Sequence, residues 1–302
     1  MVTVAIYYSF NRFFSGKNLS LFVMILFGPG ICFSGFNSAY GQNRRPVITT
    51  LETREIIHHD TTIILHNTSI DISYPEGKIN GCILVLPGWN FSREDVCRNS
   101  EFCKLAKQNG YCLIRPEMGK SIYLLNTFPE TRQDWMHYPT LRFITDTLIP
   151  YCQNNFSILK SGDKNFLFGI STGGRGVAQI AMNTGSLFVA GAALSGDFNQ
   201  LLQKDDKLMM GYLGTFDNYP SRWSGKDNPS ENAAQLQIPL FLGHGKADKI
   251  VPVVQTTTFF DRITFVNPGL KHILHIDETG GHNYDYWNSE LQRIFAFFYS
   301  HL

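Results

Sequence analysis

The chain is 302 residues long, 43% hydrophobic and 17% charged, with 24 Phe, 13 Tyr and 4 Trp. That balance excludes intrinsic disorder, which needs low hydrophobicity with high net charge, and it supplies enough apolar mass for a large core. A formal charge of +1 offers no basic footprint for a nucleic-acid partner, and the absence of several long apolar runs excludes a polytopic membrane protein.

Residues 1–41 stand apart from the rest. They carry Arg12 and Lys17 but no Asp or Glu, then an apolar run from Leu19 to Phe33 broken by Gly28, Pro29 and Gly30, then Ser38-Ala39-Tyr40-Gly41. A basic start, a short apolar stretch and small residues before a cut after Gly41 predict a secretory signal peptide. The run is shorter than the ~20 residues a membrane span requires. The expected mature chain, 42–302, is a single catalytic domain of 261 residues with a net charge near −1, secreted or periplasmic and without a membrane span. Of the six cysteines, Cys32 would leave with the signal. The remaining five contain no CxxC pair, which argues against a zinc site and a disulfide scaffold. Cys82 and Cys112 sit in apolar runs as buried thiols, and one bridge among Cys97, Cys103 and Cys152 is open in an oxidising compartment.

Along the mature chain, strand-like and helix-like segments alternate. Glu55–His58, Ile63–His66 and Ile70–Tyr74 suggest antiparallel edge strands. Cys82–Leu86 is a continuous apolar run ending at Pro87-Gly88, as expected of a strand buried on both faces. A helix is predicted over Glu94–Gln108, a strand over Tyr111–Ile114 and a helix over Leu141–Asn154. Strand Asn165–Phe168, helix Gly173–Met182 and strand Leu187–Leu194 follow. After a polar stretch from Gly196 to Gln237 come strand Ile238–Leu242, helix Val253–Phe265, strand Lys271–Ile276 and helix Tyr284–Tyr299. This order predicts an α/β fold: a mostly parallel twisted sheet, helices on both faces, and a small insertion near 197–236.

The chemistry gathers at strand ends. Gly169-Ile170-Ser171-Thr172-Gly173 is a G-x-S-x-G motif directly after an apolar strand and directly before a helix. In that setting the glycines permit a sharp turn that exposes Ser171, and the helix start aims N–H groups at a developing oxyanion. A nucleophilic serine needs a base, and the base an orienting carboxylate. Asp248 follows the strand Ile238–Leu242, and His282 follows the last strand in a Gly280-Gly281-His282 loop, so the chain order is Ser171, Asp248, His282. Asp197, after Leu194, is the competing acid, and His244 suits a structural place in the Asp248 loop. The expected oxyanion donors are the N–H groups of Thr172 and Trp89, with Gly88 allowing close approach. Trp135, Tyr212 and Trp223 are candidates for a substrate pocket. His58-His59-Asp60 and His272-x-x-His275 lack a third converging ligand, so no metal is expected.

These motifs resemble the α/β-hydrolase superfamily. The particular likeness is to the group of esterase D (S-formylglutathione hydrolase), feruloyl esterases and mycolyltransferases. Four pieces carry it: Phe143–Tyr151, Gly169–Gly174, Met210–Thr215 with Trp223, and Gly280–Trp287. The resemblance implies Ser171 as nucleophile, Asp248 as acid and His282 as base, with no cofactor. Thr172 stands where Met is commoner in that group, and the loop after Leu86 lacks the usual His before Gly88. Gly243-His244-Gly245 with Asp248 also resembles prolyl-oligopeptidase catalytic domains. The expected function is a secreted serine esterase acting through an acyl-enzyme on a small-molecule or carbohydrate-linked ester. The alternatives are a serine peptidase of prolyl-oligopeptidase-like fold, or a non-catalytic binding protein on a hydrolase fold.

Overall fold

The computed structural model describes residues 59–302. The segment 1–41 expected as a signal peptide, Cys32 and the strand expected at Glu55–His58 lie outside the described residues. Among the described residues eight strands form one sheet in the order β1-β2-β4-β3-β5-β6-β7-β8. β1 (Thr61–Leu65) and β2 (Thr68–Ser73) are an antiparallel hairpin. Its two turn residues, His66 and Asn67, both have positive φ (47° and 63°), the backbone that a tight two-residue hairpin demands. β2 joins β4 (Tyr111–Pro116) antiparallel. From β4 onward every neighbour is parallel, through β3 (Gly81–Leu86), β5 (Asn165–Ile170), β6 (Ala190–Leu194), β7 (Leu240–Gly245) and β8 (Ile273–Asp277).

The sheet buries both faces because alternate residues of each central strand feed different cores. Leu84 and Leu86 pack with Val177 and Ile180 of α4 (Thr172–Asn183) and Phe259 of α7 (Val254–Val266). Ile83, Val85, Phe166 and Phe168 pack on the opposite face with Phe295 and Phe298 of α9 (Leu291–Tyr299). This is the α/β-hydrolase fold. Among the described residues no helix is long and apolar enough to cross a membrane.

Three predicted helices are reshaped, each for a local reason. The segment expected as one helix over Glu94–Gln108 is two, α1 (Asp95–Asn99) and α2 (Phe102–Gln108), separated by Ser100 in an extended conformation. In an unbroken helix Cys97 and Cys103 would lie roughly 9 Å apart along the axis. The break brings their Cα atoms to 5.1 Å and permits a disulfide between them, while Cys82, Cys112 and Cys152 stay buried and free. Over Leu141–Asn154 the first part, Phe143–Leu148, winds as a π-helix before α3 (Ile149–Asn155). Pro150 has no N–H for an ordinary helical bond, and the Ile149 N–H reaches back to the Ile144 carbonyl instead. The last segment divides at Glu290 into α8 (Tyr284–Ser289) and α9. One strand is also shorter than expected: a 3₁₀ turn at Gly185–Leu187 delays β6 to Ala190.

The polar insertion after β6 is a cap of short helices, including α5 (Lys207–Leu213) and α6 (Pro220–Trp223). It packs against the loop after β4 in a separate apolar cluster, with Ile122, Leu124 and Trp135 from that loop and Met209, Tyr212, Leu213 and Trp223 from the cap.

Candidate active site

The site forms at the carboxyl ends of β3, β5, β7 and β8. Ser171 sits between β5 and α4 with φ 55° and ψ −126°, a strained backbone for a residue with a side chain, costing on the order of 1–3 kcal/mol. The flanking glycines make the turn possible. A Cβ on Gly169 would lie 2.1 Å from the Gly173 carbonyl oxygen, and one on Gly173 would lie 2.0 Å from the Leu86 oxygen. The Ser171 N–H continues the β5–β6 pairing to the Leu194 oxygen at 2.9 Å, so the strain is held by the sheet.

Ser171 Oγ is 3.0 Å from His282 Nε2, and His282 Nδ1 is 2.6 Å from Asp248 Oδ2. The carboxylate can only accept from Nδ1–H at neutral pH, which leaves Nε2 to accept the serine proton. His282 is carried by the loop between β8 and α8. Asp277 ties that loop by accepting from the N–H groups of Thr279 and Gly280. Asn283 caps α8 through the Tyr286 N–H, and Trp287 meets the imidazole edge to face at 5.2 Å. The loops after β7 and β8 are joined by Lys246 N–H to the Asp277 oxygen and Ala247 N–H to the Gly280 oxygen. Gly245 is required there, since a Cβ would meet the Gly280 oxygen at 2.0 Å.

Asp248 is surrounded by donors. Its Oδ1 accepts from the Ile250 and Val251 N–H groups, each at 2.9 Å. Its Oδ2 faces His282 and, at 3.3 Å, Nε2 of His244. Burial pushes the carboxyl toward neutrality, but the His244 and His282 hydrogen bonds and the Val251 N–H outweigh it and hold the group well below the usual carboxylate range. His244 is fully buried at the end of β7, bridging Thr256 Oγ1 at 2.7 Å and the Val251 oxygen at 2.9 Å. Nε2 faces only acceptors, so it carries the proton, and the ring braces the Asp248 loop.

Asp197, the competing acid, makes no hydrogen bond to His282 among the described residues. It lines the cleft, and burial raises it to about 6 against the opposing pull of Arg175. Trp89 and Thr172 border the cleft beside Ser171. Neither backbone N–H has an acceptor among the described residues, and a Cβ on Gly88 would lie 3.2 Å from Ser171 Cβ.

The aromatic pocket expected from Trp135, Tyr212 and Trp223 is corrected. Among the cleft-lining residues none of the three occurs. Trp223 is fully buried, donating to the Gly214 oxygen at 3.0 Å. Tyr212 accepts from Trp89 Nε1 at 3.0 Å and donates to the Lys120 carbonyl, and Trp135 packs on both Trp89 and Tyr212. Tyr212 and Trp135 thus support Trp89, and all three rings are drawn into the apolar cluster between the cap and the loop after β4. The cleft, about 290 Å³, has instead an apolar wall of Phe91, Leu208, Met209 and Ile250 and a polar wall of Asp197, Gln200 and Gln203. Apart from Asp197, expected as the competing acid, residue type did not mark these positions. Their place just after β3, β6 and β7, where ligands collect in parallel sheets, is the signal that could have found them.

Among the described residues no three His, Cys, Asp or Glu side chains gather to hold a metal ion. His272 accepts from the Leu240 N–H and His275 pairs with Glu290.

Fold and site define a serine hydrolase of the α/β type, and comparison with known proteins narrows the class. A sequence profile of the prolyl oligopeptidase family matches residues 151–302, a stretch that includes Ser171, Asp248 and His282. The chain therefore belongs to the prolyl oligopeptidase family, within the superfamily of serine esterases and peptidases. No curated protein sequence matches the chain. Among solved structures it is similar to the fluorophosphonate-binding serine hydrolase F of Staphylococcus aureus, at 19% identity and TM-score 0.63, over 80% of this chain and 98% of that one. It is similar to an S-formylglutathione hydrolase of Agrobacterium tumefaciens, at 14% identity and TM-score 0.65, over 81% and 94%. The acylaminoacyl peptidase of Pyrococcus horikoshii aligns at 15% identity and TM-score 0.60, over 81% of this chain and 42% of that one.

Proposed function

We propose that the protein is a carboxylic-ester hydrolase in which Ser171 is the nucleophile, His282 the general base and then acid, and Asp248 the carboxylate that orients and stabilises the imidazolium. The observation that carries this reading is the unbroken series from Ser171 Oγ through His282 to a buried, fully donated carboxylate. Ser171 Oγ attacks the ester carbonyl carbon as His282 Nε2 takes its proton. The carbonyl oxygen, now negative, turns toward the unpaired N–H groups of Trp89 and Thr172, at the positive end of α4. Collapse expels the alcohol, which receives the proton from His282. Water deprotonated by the same imidazole then releases the acid and restores Ser171. No cofactor enters these steps.

The small cleft suits a small-molecule ester. The likeness extends over nearly the whole of the serine hydrolase F and S-formylglutathione hydrolase chains but under half of the peptidase chain, which supports ester over peptide cleavage. The family match itself favours peptidase activity as the second reading. We extend the proposal to a secreted or periplasmic setting, in keeping with the basic-then-apolar segment at 1–41 and the Cys97–Cys103 disulfide. The test is labelling of the purified protein with a fluorophosphonate, followed by turnover of p-nitrophenyl butyrate and of a chromogenic dipeptide amide. Labelling lost in Ser171→Ala, with turnover of the ester alone, is the expected result. Undiminished labelling of that variant overturns the assignment of Ser171, and amide turnover exceeding ester turnover overturns the esterase reading.

A further inference from the structure

The polar wall of the cleft contains two side chains, each with a shielded polar atom that the chain leaves without a hydrogen-bond partner. Asp197 lines the cleft directly after β6. Apart from its own backbone N–H, no donor reaches its carboxylate among the described residues, and its Oδ1 is shielded and unpartnered. Arg175, fully buried in α4 behind it, does not pair with that carboxylate. Its guanidinium donates to the Asp197 backbone carbonyl at 3.2 Å, to Gln200 Oε1 at 3.1 Å and to the Asp227 carbonyl. Gln200 also lines the cleft and is 2% exposed. Arginine can only donate, so it fixes the Gln200 amide with the oxygen toward Arg175, leaving Nε2 as an unpartnered donor.

A shielded carboxylate oxygen with no donor and a buried amide N–H with no acceptor are both unfavourable, and such groups collect where a ligand completes them. We propose that Asp197, with Gln200, is the specificity determinant of this cleft and holds a hydroxyl group of the substrate, so that the preferred esters are those of polyhydroxylated compounds. The inference rests on Ser171 being the nucleophile. A hydroxyl donates to the carboxylate and accepts from the amide, satisfying both groups at once. An ammonium would satisfy Asp197 alone, with no lone pair for Gln200 and with the Arg175 cation close behind. An anion would face the carboxylates of Asp197 and Asp206, both in the cleft lining.

The test compares kcat/KM for three esters: propyl butyrate, 2,3-dihydroxypropyl butyrate, and propyl 3,4-dihydroxybutyrate, which carries the hydroxyls on the acyl side. Wild type should favour one dihydroxy ester over propyl butyrate by about tenfold or more, the ratio a hydrogen bond to a charged acceptor supports, with the gain in KM. In Asp197→Ala that ratio should fall to within about twofold. Asp197→Asn, nearly isosteric, is measured alongside and should give an intermediate ratio even if the alanine variant fails to fold. A wild-type ratio near one, a ratio unchanged in both variants, or a preference for 2-aminoethyl butyrate over either dihydroxy ester overturns the proposal. Fluorophosphonate labelling separates the two levels: an enzyme that labels at Ser171 but shows no hydroxyl preference loses only the Asp197 subsite, whereas one that does not label loses the serine-hydrolase reading beneath it.

Discussion

Asp248 and Asp197 are two carboxylates that follow the neighbouring strands β7 and β6 with opposite electrostatics, and the difference predicts opposite responses to pH. Asp248 is held low by its donors, so its ionised form stabilises the folded chain above the unfolded carboxylate range near pH 4. That contribution is lost as pH falls further. The stability gap between wild type and Asp248→Asn, measured by urea unfolding, should therefore be widest at neutral pH and shrink below about pH 4. Turnover by Asp248→Asn should fall by about 10⁴-fold at pH 7, because an amide at this position can favour the wrong imidazole tautomer. Asp197 is raised to about 6, so ionising it opposes folding. That penalty is present in full above pH 6 and is relieved as pH drops toward 4. Asp197→Asn should consequently be more stable than wild type at pH 7.5 and equal to it near pH 4, a difference that thermal unfolding at the two pH values would register. Ser171→Ala should lower kcat/KM for p-nitrophenyl butyrate by at least about 10³-fold while its unfolding midpoint stays at or above the wild-type value, since removing the hydroxyl leaves the elbow backbone in place.

At the scale of elements, the split helix α1–α2 is the most informative departure from periodicity. Its apolar spacing reads as a single helix, yet Ser100 accepts the Phe102 N–H and donates to the Val96 carbonyl, ending one helix and starting the next. Side-chain competition of this kind is local, but it prevails only because Phe102 is drawn onto Phe168 of β5, with ring centroids 4.0 Å apart. Phe102→Ala should lower stability by about 3–5 kcal/mol. Replacing Cys97 and Cys103 together by serine should lower it by about 2 kcal/mol, as expected for a short closed loop. Calorimetry under oxidising conditions would check both. Turn chemistry, by contrast, was legible from the residues alone. Gly169 and Gly173 bracket Ser171 in the one spacing that allows the elbow, and Gly280-Gly281 precede His282 where the chain must double back.

Across the whole molecule, a single sheet carries the site, and its two faces depend on different helices. Deleting residues 291–302 would strip Phe295, Phe297 and Phe298 from one face. The truncated protein should lose its cooperative thermal transition by circular dichroism rather than merely its activity. The cap between β6 and β7 plays a different part, because its rings pack with the loop after β4 in a separate cluster. That is why Trp135 and Tyr212, plausible as pocket aromatics by residue type, support Trp89 instead, while Trp223 is fully buried.

What the sequence determined by itself was local and ordinal. The alternation of apolar strands with amphipathic helices specified the sheet class, and G-x-S-x-G after a strand specified a turn. Ser171, Asp248 and His282 each follow a strand, so a parallel sheet must deliver them to the same edge. The tertiary structure decided whatever depends on which way a side chain faces once distant segments meet. Burial on both sides turned the cap aromatics inward, and a broken helix brought Cys97 to Cys103. Arg175, invisible as a lone charge inside an apolar helix, turned the Gln200 amide and left the Asp197 carboxylate, in the cleft lining, without a side-chain donor. Period and order are properties of the chain, whereas orientation and pairing come from packing, and so the line of Ser171, His282 and Asp248 could be read early while the walls around it could not.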